Sequence, residues 1–263
     1  MPENYEALLH VARTRRSVRK FEPGRQISTE ALLRIAEIAR WAPSGANVQP
    51  WDFIIIDDPG VQAKVVDVFL RQANRLRERA MGFPAVYKSY LKNTVAIFVV
   101  LGDPRWRLCF PHGSNEEYER EYDANNDNIY FASLGAAIQN VQLAVTAEGL
   151  TSAWLSGGGE EQTNHELSEV LGYPEHLSAI GTIPIGYPAK DQSYRYRRPL
   201  DQVVHWNGYQ MDQYRTDEQL QFYQESLKPF AMYRSDADAL DWEDVDEKLG
   251  QWKEAFTGRV TNP

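Results

Sequence analysis

Cysteine is almost missing from this chain. Cys109 is the one thiol in 263 residues, which excludes an internal disulfide framework and any thiolate metal cluster, and suits a reducing compartment. Apolar runs of membrane-spanning length are missing as well, and the first 25 residues carry too much charge for a secretory signal. A cytoplasmic protein with no membrane partner is the expectation. Histidine is sparse: His10, His112, His165, His176 and His205 show no paired ligand spacing, so no metal site is expected. No G-x-G-x-x-G follows a strand, and neither a Walker loop nor a G-x-S-x-G elbow occurs, which leaves Rossmann, P-loop and hydrolase sites unsupported. With no acid, base or nucleophile apparent, any chemistry is expected to belong to a bound cofactor.

Positive charge is also in deficit. A formal net charge of −9 argues against nucleic acid, whose binding depends on neutralising phosphates. The deficit is uneven, because from Asn207 onward twelve Asp or Glu face six Lys or Arg, a net of −6. Residues 13–20, by contrast, hold Arg13, Arg15, Arg16, Arg19 and Lys20. A local cationic cluster in an acidic protein points to a small anionic ligand.

What is present is a chain long enough for one large domain, with regular amphipathic punctuation. Residues 3–13 read as a helix with Tyr5, Leu8, Leu9 and Ala12 along one side, and Phe21-Glu-Pro-Gly24 as a turn. Ser28 can cap a second helix whose inward face is Leu32, Leu33, Ile35, Ala36 and Ala39, ending at Pro43. Residues 52–57 read as a buried strand, and Asp58-Pro-Gly60 opens a long helix with arginines at 71, 75, 77 and 79, where cations suit the C-terminal dipole. A second strand is expected over 94–101. Residues 102–126 show no convincing period and read as a lid-like loop. Asp127 or Asn128 should start a helix, apolar almost all round, that Gly149 caps in the left-handed conformation. Strands are expected at 150–155 and 179–186, with Pro184 at an edge or where its missing donor is not needed, and Leu200–Val204 as a further strand.

Two stretches stand out as binding elements. Trp41-Ala-Pro-Ser-Gly-Ala-Asn-Val-Gln-Pro-Trp51 joins helix to strand, with Ser44-Gly45 leaving the backbone free to approach a ligand and Asn47 and Gln49 supplying amides. In Arg15-Arg16-Ser17-Val18-Arg19, alternate residues of an extended segment put Arg15, Ser17 and Arg19 on a common side. Two forked cations and a hydroxyl suit a phosphate and its attached polar chain. Tyr194-Arg-Tyr-Arg-Arg-Pro199 is a second cationic stretch that can converge with the first.

These motifs, with Ser156-Gly157 after the Gly149-Leu150 strand and Ile185-Gly-Tyr-Pro188 followed by Arg197, resemble the FMN-dependent nitroreductase family in order and spacing over roughly residues 5–206. The resemblance implies an α+β fold, a mixed sheet surrounded by helices, and an obligate homodimer with FMN in two interfacial sites. It implies that Arg15, Arg16 and Ser17 hold the phosphate and ribityl chain, with Arg197 on the phosphate and Arg195 beside it. Arg19 would sit near the flavin N1 and O2, and Leu155, Ser156 and Gly157 near N5, which makes Ser156 and Arg19 the residues expected at the chemistry. Pro43, Ser44, Gly45 and Asn47 would reach the ring from the opposite subunit.

The activity implied is reduction of a small organic acceptor, such as a nitroaromatic or quinone, by NAD(P)H in a ping-pong cycle. The alternatives are a reductive dehalogenase like iodotyrosine deiodinase, a branch also visible in Arg197-Arg-Pro-Leu-Asp-Gln-Val203, and a non-catalytic FMN-binding or storage protein. The deiodinase branch clasps an amino-acid zwitterion with a Glu, Tyr and Lys in its lid, and this chain offers Glu78, Tyr87 and Lys88 without a matching spacing. The expected organisation is a flavin-binding domain over 1–206 and an acidic helical extension over 207–263.

Overall fold

The computed structural model describes residues 2–79, 88–109, 116–189 and 200–222. The chain divides into two compact units, one of residues 1–78 and 88–192, the other of 79–87 and 193–263.

The first unit is built on a four-stranded sheet of β1 (Trp51–Ile56), β2 (Ala96–Gly102), β3 (Thr151–Ser152) and β4 (Ser178–Gly186), in the order β1-β2-β4-β3. All three ladders are antiparallel, and a single parallel pairing, Ser17 with Ser152, adds the N-terminal segment beside β3. β2 explains why the sheet needs helices on both sides. Its residues alternate, yet both sets are apolar: Ala96, Phe98 and Val100 enter one core, while Ile97, Val99 and Leu101 enter the other. Covering only one face would leave three large side chains in water. Burying a side chain such as Phe98 is worth roughly 1.5–3 kcal/mol.

α2 (Thr29–Ala39) and α4 (Glu116–Ala147) cover the first face, and α3 (Pro59–Glu78) and α5 (Glu161–Leu171) cover the second. Local chemistry starts and stops them where expected. The Ser28 hydroxyl accepts from Ala31 N–H at 3.2 Å, the Asp58 carboxylate accepts from Val61 N–H at 2.8 Å, and Gly149 has φ +72° after α4. α1 (Glu3–Thr14) has no buried residue in the single chain: Tyr5 and Leu8 of its expected apolar side are exposed.

Several expectations are corrected. α4 begins at Glu116, eleven residues before Asp127, because Glu, Arg and Ala are good helix formers even where no apolar stripe marks the turn. The lid-like loop shrinks to a turn of 3-10 helix at Pro104–Cys109 and residues 110–115, which lie outside the described residues. α4 buries one stripe, Tyr130, Leu134, Ala137, Ile138, Val141 and Val145, and leaves Phe131 exposed. Leu33 is exposed, since Ala31, Leu32, Ile35 and Ala39 complete the inward face. β1 is mostly half-buried, as an edge strand covered by one neighbour must be. β4 lies inside the sheet, so Pro184 is not at an edge. Its carbonyl accepts from Ala153 N–H at 3.3 Å, so the missing donor faces the side where β3 has already ended.

The second unit contains turns of 3-10 helix at Leu200–Gln202 and Met211–Gln213, and the short α6 (Asp217–Phe222). The strand expected at Leu200–Val204 is instead helical, because the Val203 and Val204 N–H groups both close on the Leu200 carbonyl. Around His205 the chain folds on itself, with His205 stacked on Tyr209 at 4.1 Å and Gln210 bonded to His205 and Trp206. Leu200, Trp206 and Met211 are exposed.

Candidate functional site

The arginine stretch begins where α1 ends. Arg15 caps the helix in an extended conformation, and the chain then runs alongside β3, where Val18 N–H donates to Ser152 carbonyl at 2.9 Å. Val18 is buried at 1% exposure, so its neighbours Ser17 and Arg19 turn outward together, as the alternation in the sequence requires. Arg15 reaches back to Gln142 of α4 at 3.4 Å, and Arg16 donates to the carbonyls of Arg13 and, at 2.8 Å, Arg15. On the residue paired with Ser17, the Ser152 hydroxyl is buried without a hydrogen-bond partner among the described residues, an unsatisfied polar group beside the segment.

Arg19 leads to a residue that sequence reasoning missed. It acts electrostatically on Tyr90, whose hydroxyl is pushed up to about 12 by burial, with Arg19 pulling the other way. Tyr90 packs on Phe21 with ring centroids 6.1 Å apart. Two residues before it, Lys88 is buried at 5% exposure and donates to Gln72 Oε1, with its Nζ 5.1 Å from the centre of the Phe69 ring. Burial lowers the Lys88 ammonium to about 8, against the raising effect of Glu160 and with the help of Arg75.

The Gln72 amide, itself buried, passes this arrangement to the glycine loop. Its Nε2 donates to the Gly157 carbonyl at 2.7 Å and to Glu160 Oε2 at 2.7 Å. Leu155 pairs with Thr182 of β4, and Ser156–Gly159 then closes as a turn of 3-10 helix. The glycines are required by close approach. A Cβ at Gly157 would lie 2.8 Å from Gln72 Nε2, and one at Gly158 would lie 2.8 Å from the Ala179 carbonyl. Glu160 also accepts from Thr163 at 2.6 Å; burial works against its negative charge, but these bonds and Arg75 leave its pKa lowered. The arginines of α3 thus do more than face a dipole: Arg71 and Arg75 each pair with Glu166 of α5 at 2.8 Å.

The 43–49 loop is built differently. Gly45 N–H donates to the Ser133 hydroxyl of α4 at 3.2 Å, and the Ser44 hydroxyl accepts from Gln49 N–H at 3.0 Å. The left-handed residues are Ala46 (φ 49°), Asn47 (φ 55°) and Gln49 (φ 48°), not Gly45. Three such non-glycine residues in four positions, at roughly 1–3 kcal/mol each, mark a loop whose shape serves something other than its own stability. Of the flanking tryptophans, Trp51 is buried and Trp41 is exposed.

Ser17 and the 155–159 loop are therefore gathered around β3, and residues 88–90 link Arg19 to Gly157. Of Pro43, Ser44, Gly45 and Asn47, it is Gly45 that ties the loop to α4 instead. Arg195 and Arg197 lie outside the described residues, as does Tyr87. Of the Glu78, Tyr87 and Lys88 grouping, Glu78 is exposed, Lys88 is bonded to Gln72, and Tyr87 lies outside the described residues. Among the described residues, no three His, Cys, Asp or Glu side chains are placed to hold a metal, and no helix is long and apolar enough to cross a membrane.

Comparison with known proteins extends this picture. The profile of the Nitroreductase family matches residues 12–187. A protein of Archaeoglobus fulgidus with the provisional name NADH dehydrogenase/NAD(P)H nitroreductase is 29% identical over 72% of this chain and 90% of its own length. Iodotyrosine deiodinase of Nematostella vectensis is 28% identical over 72% of this chain and 71% of its own. Among solved structures, nitroreductase A of Vibrio parahaemolyticus superposes with a TM-score of 0.59 at 19% identity, covering 93% of this chain and 91% of that one, a likeness of fold.

Proposed function

The chain belongs to the nitroreductase family, and from that membership together with the residues around β3 we propose that it is an FMN-dependent oxidoreductase. It would take reducing equivalents from NAD(P)H and reduce a small organic acceptor, a nitroaromatic, a quinone or a related molecule. Reductant and acceptor would use one site in turn, a ping-pong cycle. The observation that carries the reading is the outward pair Ser17 and Arg19 set beside β3, next to the unsatisfied Ser152 hydroxyl and linked through residues 88–90 to the glycine loop.

The donor set fits the group. Arg15, Arg16 and Ser17 offer forked cations and a hydroxyl to a phosphorylated polyol. Leu155, Ser156 and Gly157 offer a surface kept bare by the lack of side chains at 157–159. When bound, FMN would supply reversible electron transfer that no side chain here can provide. Arg19 would favour negative charge on the nearby ring edge, and Ser156 with its loop would orient what approaches the other. Arg195 and Arg197 are proposed as further phosphate ligands. The uncovered Tyr5 and Leu8 of α1 and Phe131 of α4 support a homodimer in which Pro43, Ser44, Gly45 and Asn47 reach the partner's site. A flavin-binding domain over 1–206 with an acidic extension over 207–263 is the organisation proposed.

Purified protein tests the reading directly. It is expected to be a yellow dimer that bleaches with NADH or NADPH without oxygen and regains colour with a quinone or nitroaromatic. A colourless protein that stays so when supplied with FMN overturns the proposal, and a yellow protein that never bleaches makes it a storage protein. Arg19→Ala should slow reduction or weaken flavin retention by about tenfold or more. Arg77→Ala, which removes an exposed contact with Asn74, should do neither.

A further inference from the structure

Resting on the flavin reading above, we propose that Gln72 and Lys88 are positioning residues that set the orientation of the Gly157 peptide and so tune the glycine loop toward the bound ring. Neither residue stands in the three motif stretches, and neither reaches the loop through neighbouring sequence: Gln72 lies 85 positions from Gly157. The geometry leaves the amide one orientation. Its oxygen accepts from the Lys88 ammonium, so its nitrogen must point the other way, where the Gly157 carbonyl and the Glu160 carboxylate both accept from it. A reversed amide would set its oxygen against two acceptors and its N–H groups against a cation.

The peptide that follows is restrained by the same bond. The Gly157 carbonyl accepts from Gln72 Nε2 at 2.7 Å and, less closely, from Glu160 N–H of the turn at 3.3 Å, so the shorter bond from Gln72 biases how the trans peptide plane between 157 and 158 is turned. Gly158 sits so close to β4 that a Cβ there would lie 2.8 Å from the Ala179 carbonyl, which leaves little room on that side for a shift to compensate. The backbone that the loop presents on its outer side is therefore set from beneath by side chains of α3 and of the segment before β2. The charged groups acting on Lys88 are Glu160 and Arg75, one of each sign, so the ammonium is enclosed in a balanced setting. Burying a lysine to orient one glutamine has a cost that core packing alone does not require.

The test uses full-length protein with and without FMN. In the loaded protein, Gln72→Leu and Gln72→Glu should each shift the flavin midpoint potential and absorption bands and slow anaerobic reduction by about tenfold or more, since a loop misplacement of this kind is amplified at the reacting centre. Lys88→Met should move the same spectrum in the same direction, and Lys88→Arg, which keeps a donor for the amide oxygen, should restore the potential and most of the rate. Unchanged potentials and spectra in both Gln72 variants overturn the proposal.

The protein without flavin gives an independent decision. Gly157→Ala should lower the melting temperature in the native background and lower it much less in Gln72→Ala, because the added Cβ meets Gln72. Equal losses in the two backgrounds show that the pair is not coupled and overturn the anchor itself. Failure of the native protein to bind FMN overturns the flavin reading instead, and the melting cycle still decides whether Gln72 holds the loop.

Discussion

The two loops offered to a ligand achieve their shapes by opposite means. The 43–49 loop places Ala46, Asn47 and Gln49 in the left-handed region and is attached to the fold by the bond from Gly45 N–H to Ser133. The 156–159 loop is pinned from below by Gln72, Lys88 and Glu160, with Gly158 seated against the Ala179 carbonyl. One loop stores strain in its own backbone; the other borrows rigidity from buried side chains. A strained loop with few anchors can be reshaped by a partner or ligand, whereas an anchored loop keeps a fixed geometry for chemistry.

The largest effect expected from breaking this contrast is at Gly158. Gly158→Ala forces a Cβ against backbone that cannot yield and should cost about 1–3 kcal/mol, read as a lower midpoint in denaturant melts. Lys88 sharpens the contrast through pH. Its folded value of about 8 lies below the usual lysine value, so below pH 8 folding bears the full cost of a buried ammonium. Between about 8 and 10.5 the unfolded chain binds the extra proton, and stability should rise with pH. In Lys88→Met that rise should vanish from the difference between melts at pH 7.5 and 10. A rise that persists in the variant assigns it to other groups.

Smaller effects belong to the other loop. Ser133→Ala removes the Gly45 anchor and should cost about 1 kcal/mol while leaving the 156–159 loop protected in hydrogen exchange. Ala46→Gly relieves a left-handed alanine and should raise stability by about 0.5 kcal/mol, the greater freedom of glycine in the unfolded chain partly cancelling the gain. A destabilising Ala46→Gly would mean that the alanine methyl has a packing role.

Much of the fold could be read from residues. The Ser28 cap, the Asp58-Pro-Gly60 start, the turn at Gly24 and the left-handed Gly149 are local signals whose chemistry acts within a few positions. The outward pairing of Ser17 and Arg19 followed from period-two alternation around Val18. Where local signals were absent the reading failed: no sustained apolar stripe marks the first eleven residues of α4, and Leu200–Val204 has strand-like composition but closes as helix. The left-handed backbone of the 43–49 loop falls on Ala46, Asn47 and Gln49, which no residue type there announces, because glycine permits that conformation without demanding it. The site was legible as three separate stretches. Gln72 and Tyr90 carried no motif and were found from burial and bonding alone, and Lys88, named in the sequence only as a lid candidate, was placed against Gln72 by the same means.

The residues themselves settled where most helices and strands lie, which stretches carry cations and glycines, and that β2 must be covered on both faces, since those properties depend on side-chain type at short range. Only the tertiary structure decided that Ser17 lies beside Ser152, that Gln72 faces Gly157 and that Lys88 is buried against it. Such pairings join residues far apart in sequence. For Gln72 and Lys88, packing α3 and α5 on one side of the sheet removes water from the buried polar groups, so they bond to each other and to Gly157.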